Sequence, residues 1–347
     1  MNLLKRLYGI HSPSGKEGKM RDFIRQHVRK NVPNCRIRND EYGNIYITKG
    51  VAETYPCIVA HLDQVQKTHS KDFQVIDSGV ILMGYSPSRH RMEGLGADDK
   101  NGIWIALKCL SRHDSIKVAF FVEEEIGCQG SMKADMEFFK DVRYVIQPDR
   151  RGTDDLITTI GWTDLCSKEF VKAIRPKRFG YKEEEGMMTD VLTLKENGLG
   201  VSCVNLSCGY FNPHTDYEFT EKKALLNCLR FVNHIIGKVT ESYPHEDDGY
   251  GNITLDDIYI ELEETIDWEI TCNPSRKFEE IYSEIHELYP MASKSEVQAI
   301  YEQILAFHTA SIDDNDNHND NDDGDGYALF GNDDYDNENE NPQDINL

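Results

Sequence analysis

The chain has 347 residues, 39% of them hydrophobic, enough for one large core or two smaller ones. Its formal net charge of −23 is uneven: residues 311–347 hold 13 Asp and Glu with no Lys or Arg, residues 241–310 hold 17 against 3, and residues 1–240 are left near +4. No clustered basic face marks a nucleic-acid reader, no stretch approaches the roughly 20 apolar residues that span a bilayer, and nine cysteines without a C-x-x-C pair point to reduced, packed thiols.

The N-terminus, Met-Asn-Leu-Leu-Lys-Arg-Leu, lacks a secretory apolar core, so a cytoplasmic setting is expected. Ser12-Pro13-Ser14-Gly15 gives a start signal, and Met20, Phe23, Ile24 and Val28 follow at helical spacing, predicting a surface helix over 16–32. Residues 44–48 and 57–60 read as strands, and His61 falls at the end of the second. Residues 102–111 have the length and pattern of a buried helix, whereas 116–122 and 142–146 are short apolar runs of the kind found in central strands. Strand, helix, strand in that order predicts a sheet with parallel members, and sites in such sheets gather beyond the carboxyl ends of the strands. His61, Glu124 and Asp149 each follow a predicted strand, so residues distant in the chain can converge. The expected class is therefore α/β, a three-layer α/β/α arrangement around a mixed, largely parallel sheet.

Acidic residues crowd the segments 94–102 and 122–127, each placed after a run able to form a buried strand, where a carboxylate needs a cation or a proton. With His61, Asp63, Asp149 and His214 they make a set of His, Asp and Glu suited to two divalent metals and one general base. Asp99 is the candidate for a bridging ligand. Asp63, two residues after His61 on the same side of an extended segment, can orient the imidazole. Glu124 and Glu125 point apart in an extended turn, which suits a base beside a ligand. Taken singly, these are ordinary motifs: His-x-Asp is most often a hydrogen-bonded pair, and a triple Glu is most often a solvated run. Their joint occurrence is what carries chemistry.

Five blocks occur in order: Ala60-His61-Leu62-Asp63-Gln64-Val65, Gly96-Ala97-Asp98-Asp99-Lys100, Glu123-Glu124-Glu125-Ile126-Gly127, Pro148-Asp149 and Asn212-Pro213-His214. Together with Ser12-Pro13-Ser14-Gly15-Lys16-Glu17 and Tyr42-Gly43-Asn44-Ile45 they resemble the co-catalytic dinuclear zinc exopeptidases, the superfamily of peptidase T, aminoacylase and related aminopeptidases, over residues 1–240. The resemblance implies a zinc-peptidase fold with His61 and Asp149 on one metal, Glu125 and His214 on the other, and Asp99 bridging. It implies Glu124 as the base acting on the bridging water and Asp63 behind His61. Two divalent ions are implied, zinc first, with manganese or cobalt accepted by the same donors. His69, His90 and His113 match no block and read as exposed or packed.

Many relatives insert a dimerisation or lid domain between the last two ligands; here 65 residues separate Asp149 from His214, so a compact catalytic domain over 1–240 is expected. Because a lid often supplies the basic residue that grips a substrate carboxylate, its absence favours an aminopeptidase acting on short peptides, with Asp190 placed to meet an α-ammonium group. Arg150 and Arg151, beside Asp149, favour instead a carboxypeptidase or an N-acyl-amino-acid deacylase, since bidentate arginine is the natural partner of a carboxylate. A reading of another class is a non-catalytic peptidase-fold protein that binds or regulates a partner. Residues 241–310 form an acidic extension with amphipathic helices over 275–289 and from 293, the second opened by the capping-box spacing of Ser293 and Glu296. These helices pack on the catalytic domain or meet a protein partner. Residues 311–347, rich in Asp and Asn, are expected to be a disordered, solubilising tail, and their spacing does not match a calcium loop.

Overall fold

The computed structural model describes residues 1–246, 255–272, 276–288 and 292–316. The chain forms two compact units, Met1–Asn252 and Ile253–Leu347. In the first unit the helices are α1 (Asn2–Tyr8), α2 (Gly18–Asn31), α3 (Ala97–Arg112), α4 (Gln129–Met132), α5 (Lys168–Ile174), α6 (Asp190–Glu196) and α7 (Lys222–Lys238). Its strands are β1 (Cys35–Asn39), β2 (Ile45–Lys49), β3 (Tyr55–His61), β4 (Gln74–Asp77), β5 (Ile81–Ser86), β6 (Arg91–Met92), β7 (Ile116–Phe121), β8 (Val142–Arg150), β9 (Asp155–Ile160), β10 (Thr163–Asp164), β11 (Lys182–Glu185), β12 (Cys203–Ser207), β13 (Tyr210–Phe211) and β14 (Phe219–Glu221).

Nine strands make one sheet in the order β1-β2-β7-β3-β8-β12-β9-β10, with β11 on β9. Its centre, β7-β3-β8-β12, is parallel, and antiparallel pairs flank it. The mixed, largely parallel sheet expected from the sequence is thus present. Every residue of β3 and β7 is buried, the mark of strands covered on both faces. One face packs against α1, α2, α3, α5 and α7, and the other against α6 and the single turn Met136–Phe139. The carboxyl ends of β7, β3 and β8 consequently lie side by side at one edge.

A second, five-stranded sheet, β13-β14-β5-β4 with β6 on β5, lies in the same unit. The sequence reading gave no element to residues 62–93, and the physical reason is visible: β4 is largely exposed and β6 is two residues long, so neither leaves an apolar run. Residues 241–246 also belong with the first unit, beyond the expected boundary at 240. Ser202 and Tyr243, Tyr243 and Arg143, and His245 and Gly200 are joined by backbone hydrogen bonds.

The second unit contains α8 (Leu255–Cys272), α9 (Phe278–Leu288) and α10 (Lys294–Asp316), with a core that includes Leu262, Ile266, Ile281, Ile285 and Val297. The capping box is formed: Ser293 N donates to Glu296 Oε2 at 2.8 Å, and Glu296 N donates to Ser293 Oγ at 3.3 Å. Helix α10 runs five residues past the expected start of the tail at Ser311, and the remainder of that tail lies outside the described residues.

Candidate metal centre

His61 closes β3, Asp149 lies near the end of β8, and Glu124 and Glu125 follow β7 in the turn beyond Phe121. Asp98 sits at the entrance to α3, just after Gly96, whose φ of +60° suits a glycine. His214 is carried on the loop between β13 and β14, so the small sheet contributes one residue to a site otherwise built on the large one. His61 is fully buried, whereas the His214 side chain is 55% exposed and faces the opening.

Two groups of nitrogen and oxygen donors converge, His61 with Asp98 and Asp149, and Asp98 with Glu125 and His214; within each the donor atoms lie within 4.8 Å of one another. His61 Nε2 is 3.0 Å from Asp98 Oδ1 and 3.6 Å from Asp149 Oδ1, and His214 Nε2 is 3.0 Å from Glu125 Oε2 and 3.5 Å from Asp98 Oδ2. Asp98 therefore offers one oxygen to each histidine. Glu124 belongs to neither group, and its Oε2 lies 4.0 Å from His61 Nε2.

This placement corrects one expectation. Asp99, read from the sequence as the bridge, lies in neither group; Asp98 lies in both. Both residues have non-helical backbone angles, φ −77° and ψ 103° at Asp98 and φ −116° and ψ 42° at Asp99. A count along the motif assumes a regular start, but here the first acid enters the cleft and the second turns back on the helix. Asp99 Oδ1 accepts a hydrogen bond from Gly102 N at 2.8 Å.

The surrounding hydrogen bonds fix these side chains. Asp63 Oδ1 lies 3.4 Å from His61 Nδ1 and accepts from Glu124 N at 3.0 Å, while Oδ2 accepts from Glu125 N at 3.1 Å and from Ser14 Oγ at 2.7 Å. One buried carboxylate thus faces the rear of the imidazole and holds the turn that carries both glutamates. Residues the sequence reading missed perform similar tasks. Asn205 clamps the Asp149 peptide from both sides, Gln147 Nε2 donates to Asp149 Oδ2 at 2.8 Å, and Glu218 Oε1 accepts from Asp98 N at 3.1 Å. They stand between 2 and 120 positions from their partners, and no local motif marks them.

The electrostatics fit cation binding. Burial, reinforced by Asp98, pushes the Asp149 carboxyl up to about 8, and burial also raises Glu124 and Glu125 despite nearby histidine charge. Burial would lower His61, but Asp149 and Glu124 outweigh it and raise the imidazole well above its ordinary value. Hydrogen bonding to Asp98 and Glu125 pushes His214 up to about 10. Glu125 Oε1 is buried without a hydrogen-bond partner among the described residues. A crowd of buried acids with an unmatched oxygen is costly unless positive charge enters it. The mixed imidazole and carboxylate donors, with no thiolate among them, fit divalent zinc, manganese or cobalt.

The centre opens into a cleft of about 440 Å³. Arg150 and Arg151 line it, together with Met187, Met188 and Tyr210. The Arg150 guanidinium is bound to Asp155, Nε to Oδ2 at 3.2 Å. Asp190, expected to meet a substrate ammonium group, is fully buried and is not part of the cleft wall. It opens α6, directly after Thr189, which does line the cleft. His69 packs between the His11 and Phe73 rings, and its Nε2 donates to Gly94 O at 2.8 Å.

No protein-family model matches the chain, and no curated protein matches its sequence. Solved structures do match. The aminopeptidase PepT from Bacillus cereus superposes with a TM-score of 0.55 at 12% identity, over 69% of this chain and 98% of that one. A tripeptidase from Staphylococcus aureus gives 0.56 at 14%, over 68% and 96%. An aminopeptidase from the archaeon Desulfurococcus kamchatkensis gives 0.52 at 17%, over 73% and 98%. The chain has the fold of these peptidases, as the sequence motifs led one to expect.

Proposed function

We propose that the chain is a metal-dependent hydrolase that cleaves a peptide bond, acting on short peptides as an aminopeptidase. The observation that carries the reading is Asp98, placed within reach of both histidines so that two cation sites share one ligand. His61 and Asp149 would hold one ion, Glu125 and His214 the other, and zinc is the first choice for both. When bound, the ions supply Lewis-acid polarisation of the scissile carbonyl and acidify water.

The chain's own residues supply the rest. His61, with Asp63 behind its Nδ1, presents Nε2 to the cleft. Glu124, outside both donor groups but beside them, accepts a proton from the attacking water and delivers it to the amine nitrogen as the C–N bond breaks. Asp63 keeps that carboxylate in place by capping the Glu124 and Glu125 amides. The water oxygen ends on the acyl carbon, and the released amine carries the transferred proton. A carboxypeptidase or an N-acyl-amino-acid deacylase is the second reading, favoured by Arg151 on the cleft wall beside Arg150, which is held by Asp155. Eight of the nine cysteines, those from Cys35 to Cys228, are free thiols, which supports a cytoplasmic setting.

Metal analysis of the purified chain, joined to a panel of amino-acyl amides, tripeptides and N-acyl amino acids, tests the reading. The expected result is two ions per chain and turnover of free-amine peptides that a chelator abolishes and added zinc restores. Two bound ions with no turnover of any compound would instead support a binding protein.

A further inference from the structure

The cleft wall separates two neighbouring arginines that the sequence cannot tell apart. Arg150 is held by Asp155, but Arg151 is exposed and makes no ion pair among the described residues. Its backbone is nevertheless fixed. Ser207 Oγ donates to Arg151 O at 2.7 Å, Cys208 N donates to Arg150 O at 2.9 Å, and Gly152 N donates to Tyr210 O at 2.8 Å. A guanidinium thus stands on an anchored segment at the side of the cleft, with its donors unspent.

The same cleft carries an apolar surface. Met187 and Met188, 76% and 67% exposed, line the same cleft with Ile157. Exposed methionines of this kind accept side chains of varied shape. The acids that line the cleft, Asp98, Glu124, Glu125 and Asp149, all belong to the centre or stand beside it, and Asp190 is buried and does not line it. Among the described residues, the cleft therefore offers a substrate one arginine without an ion pair and an apolar surface, and away from the centre no carboxylate lines it.

We propose that Arg151 is a specificity-determining residue that binds a carboxylate on the part of the substrate remote from the cleaved bond. The inference rests on the cleft being the substrate site of the hydrolase reading. Planar, bidentate pairing of guanidinium with carboxylate gives the selection, and the methionines tolerate the adjoining side chain. The carboxylate is either the free C-terminus of a short peptide or an acidic side chain, and the same chemistry serves both.

Binding distinguishes these and is read without turnover, by calorimetry on the zinc-loaded Glu124→Gln chain. The probes are Leu-Gly-Gly as free acid and as C-terminal amide, and Leu-Glu amide beside Leu-Gln amide. One charged member is expected to bind at least about tenfold tighter than its neutral counterpart, the scale of a charge-assisted hydrogen bond. A preference within the first pair identifies the C-terminus, and within the second pair an acidic side chain. Adding Arg151→Gln should bring the ratio close to one while leaving the neutral ligand's affinity unchanged, and Arg151→Lys should restore part of it. Equal binding of charged and neutral forms, a preference that survives Arg151→Gln, or no saturable binding of any probe overturns the proposal. Hydrolysis by the wild type without discrimination would remove this inference and leave the hydrolase reading standing. Discrimination in binding without any hydrolysis would do the reverse.

Discussion

At the level of single residues, the account depends on which carboxylate faces which atom. Asp98 and Asp99 are adjacent, both buried and both acidic, yet only Asp98 lies within reach of the two histidines. Asp98→Asn is expected to lower the metal content below two ions per chain, whereas Asp99→Asn, which keeps an acceptor for Gly102 N, should retain both; elemental analysis of the two variants checks this. Asp63 provides a second test. Removing it in Asp63→Ala leaves the Glu124 and Glu125 amides without their acceptor and the rear of His61 unsupported. Loss of such a supporting group weakens metal affinity about 10–100-fold, which competition with a chromogenic chelator would measure. The residue types at the centre were legible because metal chemistry demands them. Which of the two acids reaches both histidines was not, because it depends on two backbone conformations at the start of α3 that no motif encodes.

At the level of elements, the site depends on β7, β3 and β8 ending at the same edge. These strands were legible as apolar runs, since a parallel strand covered on both faces has little room for polar residues. The small sheet was not, because its strands are short and partly exposed, and yet its β13–β14 loop carries His214. Helix α4 illustrates how tightly the turn carrying Glu124 is held. A methyl group added at Gly130 would come within 2.2 Å of Val122 O, in the stretch that leads to Glu124. Gly130 N also donates to Val122 O at 3.0 Å, and Asn44 Nδ2 donates to Gly130 O at 2.9 Å. Gly130→Ala should therefore destabilise the chain by about 1–3 kcal/mol and reduce turnover, as seen in a denaturant titration beside an activity assay.

At the level of the whole molecule, the formal charge of −23 misdescribes the catalytic part, because the acids beyond residue 240 account for all of it. Every residue of the candidate centre lies in the unit Met1–Asn252. A chain ended at residue 252 is accordingly expected to bind the same two ions and to unfold cooperatively. No helix among the described residues is long and apolar enough to cross a membrane. Because the ions bind the folded state, chelation should lower the melting temperature, and added zinc should restore it, the stabilisation growing with the logarithm of its free concentration. The most direct test of the central claim compares wild type with Glu124→Gln at equal metal content, using an amino-acyl amide that the wild type hydrolyses. Glu124 stands outside both donor groups, so the variant is predicted to keep two ions while its turnover falls about 10²–10⁴-fold, the usual scale of a lost general base. Turnover undiminished in the metal-loaded variant would contradict the account.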